Sequence, residues 1–147
     1  MIDRAFRLAY RLVYPMAERW WQFRQNHDGV LIAVWVGEHI LAVRHSYKTG
    51  LHMPGGGIAR GEHPATAAVR ELQEEVGISI KSTQLRLVCS FASRHGWIHL
   101  YEAQIKTMPK LRIDRREIIE AAFLPPESIY VFDPQLAEYL NACRSVA

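Results

Sequence analysis

Cysteine is scarce in this chain: Cys89 and Cys143 are the whole complement. Two are too few for a disulfide framework, and they fit a reducing cytosol as small buried apolar residues. Long uncharged hydrophobic runs are also missing. Arginines interrupt every apolar stretch of the first 24 residues, which argues against a signal peptide or a membrane span. There is no low-complexity tract and no internal repeat. A one-sided charge is missing from most of the chain as well. The net charge of +3 resides in residues 1–24, where Arg4, Arg7, Arg11, Arg19 and Arg24 face only Asp3 and Glu18; the rest holds 13 basic and 13 acidic residues. That balance speaks against a general polyanion surface, so no stable nucleic-acid partner is expected. What remains is an ordinary soluble composition, 49% hydrophobic and 22% charged over 147 residues, enough for one core and a cytoplasmic setting.

The basic segment reads as an amphipathic helix ended or kinked near Pro15, with Arg4, Arg7 and Arg11 on one side and Leu8 and Leu12 beside them. The favoured partner for its apolar stripe is the domain itself or a second subunit in a homodimer. The other reading is contact with an acidic membrane surface. Residues 1–24 therefore form an extension, and 25–147 the domain.

Within the domain, Gly29 to Val36 and Ile40 to Arg44 are β-branched runs joined by the turn Gly37-Glu38-His39. Ser46 to Gly57, with Gly50, Pro54 and three consecutive glycines, reads as loop. Pro64 at the first helical position and Gly77 just past the end bracket a helix over 64–76, with His63 a weak cap. Leu85 to Ala92 and Trp97 to Ile105 form a second hairpin around Arg94-His95-Gly96. Ile118 to Leu124 is a further strand, and Asp133 starts a last helix through about Cys143. Trp35 and Trp97 sit in strands, where core packing is the usual role for an aromatic and base stacking the rarer one. Strands mixed with two or three helices give a layered α/β or α+β domain.

The stretch R-E-L-Q-E-E-V-G-I, residues 70–78, is the unusual part. At about 100° per residue, Glu71, Glu74 and Glu75 share one arc of the helix. Like charges at those spacings repel, and Arg70 is the only cation beside them. Two readings stand: a solvated acidic face, or ligands for a hard divalent cation such as Mg²⁺, which favours oxygen donors and is commonly shared with phosphate. Gly55, Gly56 and Gly57 allow close backbone approach to a ligand, or else simply a tight loop.

From Gly56 the residues run G-x5-E-x7-R-E-L-x-E-E-x-G-I, ending at Ile78. This resembles the 23-residue box of the Nudix hydrolases, MutT-like proteins, with Gly56, Glu62, Arg70, Glu71, Leu72, Glu74, Glu75, Gly77 and Ile78 at every fixed place. A chance match in this chain has a probability on the order of 10⁻⁸. Leu51 departs from the family, many of whose members carry an aromatic residue there.

The resemblance implies an α/β/α sandwich around a mixed sheet, here with an added N-terminal helix, and hydrolysis of a nucleoside diphosphate linked to another moiety. It makes Glu74 and Glu75 the main ligands for Mg²⁺, or Mn²⁺, with the Gly55 carbonyl as a further candidate. Glu71 binds metal or deprotonates the attacking water. Arg70 holds the carboxylates through Glu62, and Gly56 and Gly77 are structural. One more carboxylate is expected from a distant loop; Glu117 is the choice, with Glu120 and Asp114 in reserve. Arg44, His45, Arg94 and His99 are the substrate-contact candidates, each weighed against an ordinary surface or core role. The implied substrate is a small nucleotide or nucleotide sugar. The competing reading is a Nudix-like module that binds a nucleotide or a partner without turnover.

Overall fold

The structure is a computed structural model that describes residues 27–113, 115–129 and 139. The expected N-terminal helix lies outside the described residues. So does the expected helix from Asp133, apart from the helical, buried Tyr139.

Strand β1 (Gly29–Val36) is the centre of the molecule. Val30, Ile32, Ala33 and Val34 are all essentially buried, the continuous apolar pattern of a strand covered on both faces. Strand β2 (His39–His45) returns antiparallel through the Gly37 turn, pairing Trp35 with Ile40 and Val36 with His39. Gly37 has φ +58, a conformation that glycine adopts without strain.

Beyond those two pairs, β1 and β2 diverge, and the following segment fills the gap. His52 exchanges both backbone hydrogen bonds with Val43, and the Ile32 N–H donates to the Pro54 carbonyl at 2.9 Å. Gly55–Gly57 then forms β3, antiparallel to the start of β1, with Gly55 opposite Leu31 and Gly57 opposite Gly29. The loop expected over Ser46 to Gly57 is thus partly a strand. Glycine has little strand preference of its own, and the pairing partner β1 supplies the order. A Cβ on Gly55 would stand 2.1 Å from the Val30 carbonyl oxygen. Only glycine lets the two backbones come this close.

Helix α1 (Pro64–Val76) matches its expected limits. His63 does cap it: its Nδ1 accepts the Ala65 N–H at 3.2 Å, so the expected weak cap is an imidazole standing in for the usual hydroxyl or carboxylate. At the other end Gly77 takes φ +72. Its N–H donates to the Gln73 carbonyl and the Ile78 N–H to the Leu72 carbonyl. That double closure, with Ile78 buried in the same cluster as Leu72, stops the helix.

Strands β4 (Arg86–Ser93) and β5 (Gly96–Gln104) form the second hairpin, and β5 lies parallel to β1. Strand β6 (Ile118–Leu124) closes the opposite edge against β2. The order is β4-β5-β1-β2-β6, with β3 beside β1, a mixed six-stranded sheet. One irregularity bears on the site. Arg44 pairs with Glu120, but His45 pairs with Ile118, so β6 bulges by one residue at Ile119.

Two apolar layers cover the sheet. On one face Val30, Ile32, Val34, Leu41, Val43, Tyr101 and Ile118 pack against Ala67, Ala68, Leu72 and Val76 of α1. On the other, Ala33, Ile40, Ala42 and Leu100 pack with Leu51, Met53, Ile129 and Tyr139. Leu51 fills its place in this second layer. Trp35 belongs here too, donating from Nε1 to the Tyr139 hydroxyl at 2.9 Å. Trp97, expected in the core, is instead half-exposed beside the second hairpin turn. Among the described residues no helix is long and apolar enough to cross a membrane.

Candidate active site

The apolar stripe of α1 faces the sheet, so the flank carrying Glu71, Glu74 and Glu75 is turned over β3. The three carboxylates form a gradient of exposure. Glu75 is 6% exposed as a residue, while the side chains of Glu71 and Glu74 are 13% and 60% exposed.

Arg70 fixes this flank to the glycine strand. Its Nε and one terminal nitrogen grip both oxygens of Glu62 at 2.9 and 3.0 Å, and that same nitrogen donates to the Gly57 carbonyl at 2.9 Å. The other terminal nitrogen donates to Glu71 at 2.7 Å and, weakly, to Glu74 at 3.4 Å. Glu62 also accepts the Ala59 N–H at 2.8 Å. The hydrogen bonds from Arg70 and then Ala59 hold the Glu62 carboxyl below its usual range, and Glu62 in turn raises the Arg70 guanidinium above its own. A forked guanidinium–carboxylate pair of this kind is rigid as well as strong.

Glu75 accepts the Gly55 N–H at 3.1 Å. Burial pushes its carboxyl up to about 8, against the pull of that hydrogen bond and with further upward pressure from Glu71 and Glu117. Burial likewise raises Glu71, opposed by Arg70. A Cβ on Gly56 would stand 2.4 Å from the Glu71 carboxylate carbon. The missing side chain is therefore what lets Glu71 lie over the β3 backbone.

Two other elements converge on this flank. Ahead of β6, Glu117 accepts the Tyr47 hydroxyl at 3.1 Å, and its carbonyl accepts the Ser46 N–H at 2.8 Å. At the end of β2, His45 is 4% exposed, and its Nδ1 is buried with no hydrogen-bond partner. Burial, then the charges of Lys48 and His52, lower its pKa to about 3, so it is a neutral imidazole. A ring nitrogen of His45 and carboxylate oxygens of Glu75 and Glu117 all lie within 4.8 Å of one another. An unpaired buried polar atom costs about 1–3 kcal/mol, and crowded buried carboxylates cost more. The donors suit a divalent cation, which would satisfy both.

A family profile described as the NUDIX domain matches residues 25–143. The chain belongs to the Nudix family. Among curated Nudix relatives, the RNA pyrophosphohydrolase of Rhizobium meliloti (strain 1021) is 46% identical over 78 residues, half of this chain and 40% of that protein. The 8-oxo-dGTP diphosphatase of Escherichia coli (strain K12) is 51% identical over 56 residues, 35% of this chain and 43% of that protein. The chain thus spans about two-fifths of the length of each. Solved structures share the fold at low identity. A C. elegans Ap4A hydrolase complex superposes with TM-score 0.64 and 18% identity, covering 82% of this chain and 96% of that one. The MutT protein from Methanosarcina mazei Go1 gives 0.63 and 16%, over 82% and 95%. The expected mixed-sheet Nudix fold is therefore the observed one.

The site residues expected from the sequence divide into those the fold gathers and those it does not. Glu62, Arg70, Glu71, Glu74, Glu75, Gly55, Gly56 and Glu117 are gathered. His45, expected as a substrate contact, stands inside the acidic cluster. His99 shares the α1 face of the sheet, since it pairs with Val30 and Val30 with Gly56, two strand spacings or about 10 Å from the glycines; its Nδ1 lies 2.8 Å from the Ser90 hydroxyl. Arg44 follows Ala42 by two residues and so lies on the opposite face, where it pairs with Glu120 at 2.8 Å. Glu120 is therefore not the extra carboxylate of the cluster. Arg94 lies at the tip of the β4–β5 hairpin, and Asp114 is outside the described residues. Tyr47, a neighbour of both Glu117 and His45, carried no signal in the sequence.

Proposed function

We propose that this protein is a Mg²⁺-dependent Nudix pyrophosphohydrolase that cleaves the diphosphate of a small nucleotide or nucleotide sugar by attack of water. The observation that carries this reading is the convergence of Glu71 and Glu75 with Glu117, and of Glu74 beside them on Arg70, over a glycine strand that Arg70 holds rigid. A binding module needs no such convergence of carboxylates.

Each residue has a part in that chemistry. Glu74, Glu75 and Glu117 hold the cation. When bound, the ion neutralises the diphosphate oxygens and acidifies water for attack at neutral pH. Glu71, held above its ordinary range by burial, is placed to take the proton from that water. Arg70 is a positioning residue, since its donors are committed to Glu62, Glu71 and Gly57. His99, on the α1 face beyond β1, is the proposed substrate contact. The curated relatives above are named for RNA and for 8-oxo-dGTP. They align over no more than half of this chain, so they support the bond cleaved more than the group attached to it.

The test is a panel of nucleoside triphosphates, dinucleoside polyphosphates, nucleotide sugars and a 5′-triphosphate RNA, assayed with Mg²⁺ for wild type and Glu74→Gln. Turnover of a small nucleotide that Glu74→Gln loses by about 10²-fold or more is expected. Equal background from both proteins across the panel makes the protein a binding module, and preference for the RNA moves the substrate class.

Metal uptake also carries a pH signature. Glu75 titrates near 8 in the metal-free protein and must lose its proton to act as a ligand. Calorimetry of Mg²⁺ or Mn²⁺ binding at pH 7 in two buffers of different ionisation enthalpy should show release of close to one proton. The release should fade, and the affinity rise, as the pH passes 8. A buffer-independent heat at pH 7 contradicts this.

A further inference from the structure

His45 has no part in the hydrolysis described above, and its surroundings do not account for it as a core residue. It is almost wholly buried, and its Nδ1 has no partner. The rings of Tyr47 and His52 pack near it, with centroids at 5.1 and 6.1 Å. The Tyr47 hydroxyl is directed at Glu117, and the His52 Nε2 lies 2.8 Å from the Thr49 carbonyl. A histidine kept only for packing has no reason to stand among carboxylates. Yet a ring nitrogen of His45 lies within 4.8 Å of oxygens from both Glu75 and Glu117. Two donors on opposite sides of one ion, each at about 2.1 Å, stand about 4.2 Å apart. The three side chains therefore stand close enough for small rotations to bring them onto one shared cation. They arrive from three separate elements, the end of β2, helix α1 and the approach to β6, and the β6 bulge brings the first and last together.

We propose that His45 is a metal ligand, completing with Glu75 and Glu117 a mixed nitrogen–oxygen site for one divalent cation, and that this nitrogen makes the site select first-row transition ions over Mg²⁺. Imidazole is a softer donor than carboxylate. It adds little for Mg²⁺, which holds oxygen and water, and progressively more from Mn²⁺ towards Zn²⁺. The inference rests on the metal-dependent reading of the site and adds to it a choice of metal. In a two-ion reaction, the buried position would keep a transition ion while the exposed Glu74 side serves an exchangeable Mg²⁺ arriving with the nucleotide.

The experiment is pulsed electron paramagnetic resonance of one equivalent of Mn²⁺ on the full chain, with competition titrations of Zn²⁺ and Mg²⁺ beside it. Wild type should show directly coordinated ¹⁴N, and His45→Gln, which offers an oxygen donor of similar reach, should not. Zn²⁺ should bind His45→Gln at least tenfold more weakly than wild type, with Mg²⁺ affinity changed less than threefold. His45→Asn is the second variant should the first fail to fold, and a wild-type spectrum without nitrogen coupling overturns the inference with neither. Bound Mn²⁺ with oxygen coordination only overturns the inference and leaves the hydrolase reading standing. So does nitrogen coupling that survives removal of His45, since six other histidines could supply it. No Mn²⁺ binding even with nucleotide present overturns both.

Discussion

Glu75→Gln is expected to abolish turnover and yet to stabilise the metal-free protein at alkaline pH. The loss of activity follows from removing a charged ligand at the buried end of the cluster. Ion-mediated charge stabilisation is worth several kcal/mol, so kcat/KM should fall by about 10³-fold or more. The gain in stability has the opposite origin. The Glu75 carboxyl titrates near 8 in the folded, metal-free protein against an ordinary 4.5. Between those values the folded chain binds more protons than the unfolded one, so stability declines as the pH rises through that window. Below about 4.5 both states are protonated and nothing is lost. Above about 8 the full cost of a buried carboxylate is felt. Glutamine keeps the shape and an oxygen for the Gly55 N–H, but carries no charge to bury. In chelator at pH 9, Glu75→Gln should resist urea better than wild type by an amount on the order of a few kcal/mol, whereas at pH 4 the two should be close. A variant less stable than wild type at both pH values would mean that Glu75 is not buried against its neighbours as described.

The three consecutive glycines should respond to the same substitution in three different ways. Gly55→Ala drives a Cβ to 2.1 Å from the Val30 carbonyl oxygen and 3.0 Å from the Leu31 Cα. Both are backbone atoms of the central strand and cannot swing aside. Relief requires β3 to detach, at a cost above the roughly 1–3 kcal/mol of ordinary overpacking, and the variant should fold poorly or melt well below wild type. Gly56→Ala meets the Glu71 carboxylate first, a side-chain end that can rotate away. Its thermal stability should change little while activity collapses, because the group placed to accept the proton has been displaced. Gly57→Ala meets nothing within 4 Å and should be near wild type in both respects. Melting curves and one steady-state assay of the three proteins decide the matter. Equal behaviour of all three would contradict the β1–β3 pairing.

Helix α1 was legible in the sequence because its instructions are local: the 3.6-residue spacing of Ala68, Leu72 and Val76, proline at the first position and glycine just past the last. The resemblance to the Nudix box added roles for Glu62 and Arg70 that spacing cannot supply. Strands β1 and β6 were legible from their β-branched runs. Strand β3 was not, because three glycines hold no strand preference and their order comes from Leu31, Val30 and Gly29, about 26 positions earlier. The place of His45 was not legible either. It depends on the register of β2 against β6, and a histidine one residue past an arginine looks the same whether it faces solvent or carboxylates. Arg44 shows the converse. An arginine at a strand end suits phosphate by its chemistry, but strand alternation turned it to the face opposite α1 and into an ion pair with Glu120.

The extra residue at Ile119 has a consequence for how the chain tolerates changes in length. His45 and Glu117 meet only because β6 steps out of phase with β2 at that point. Deleting Ile119 would leave Glu120 opposite Arg44 and Ile118 opposite His45 in an even ladder with Glu117 on its present side, whereas pairing Ile119 itself with His45 would turn Glu117 away from Glu75. An insertion in the Arg94–Gly96 corner would shift nothing in the carboxylate cluster. Within one small sheet, then, the edge by β6 carries a spare residue that can be lost without moving the acids but cannot be drawn into the ladder without moving them.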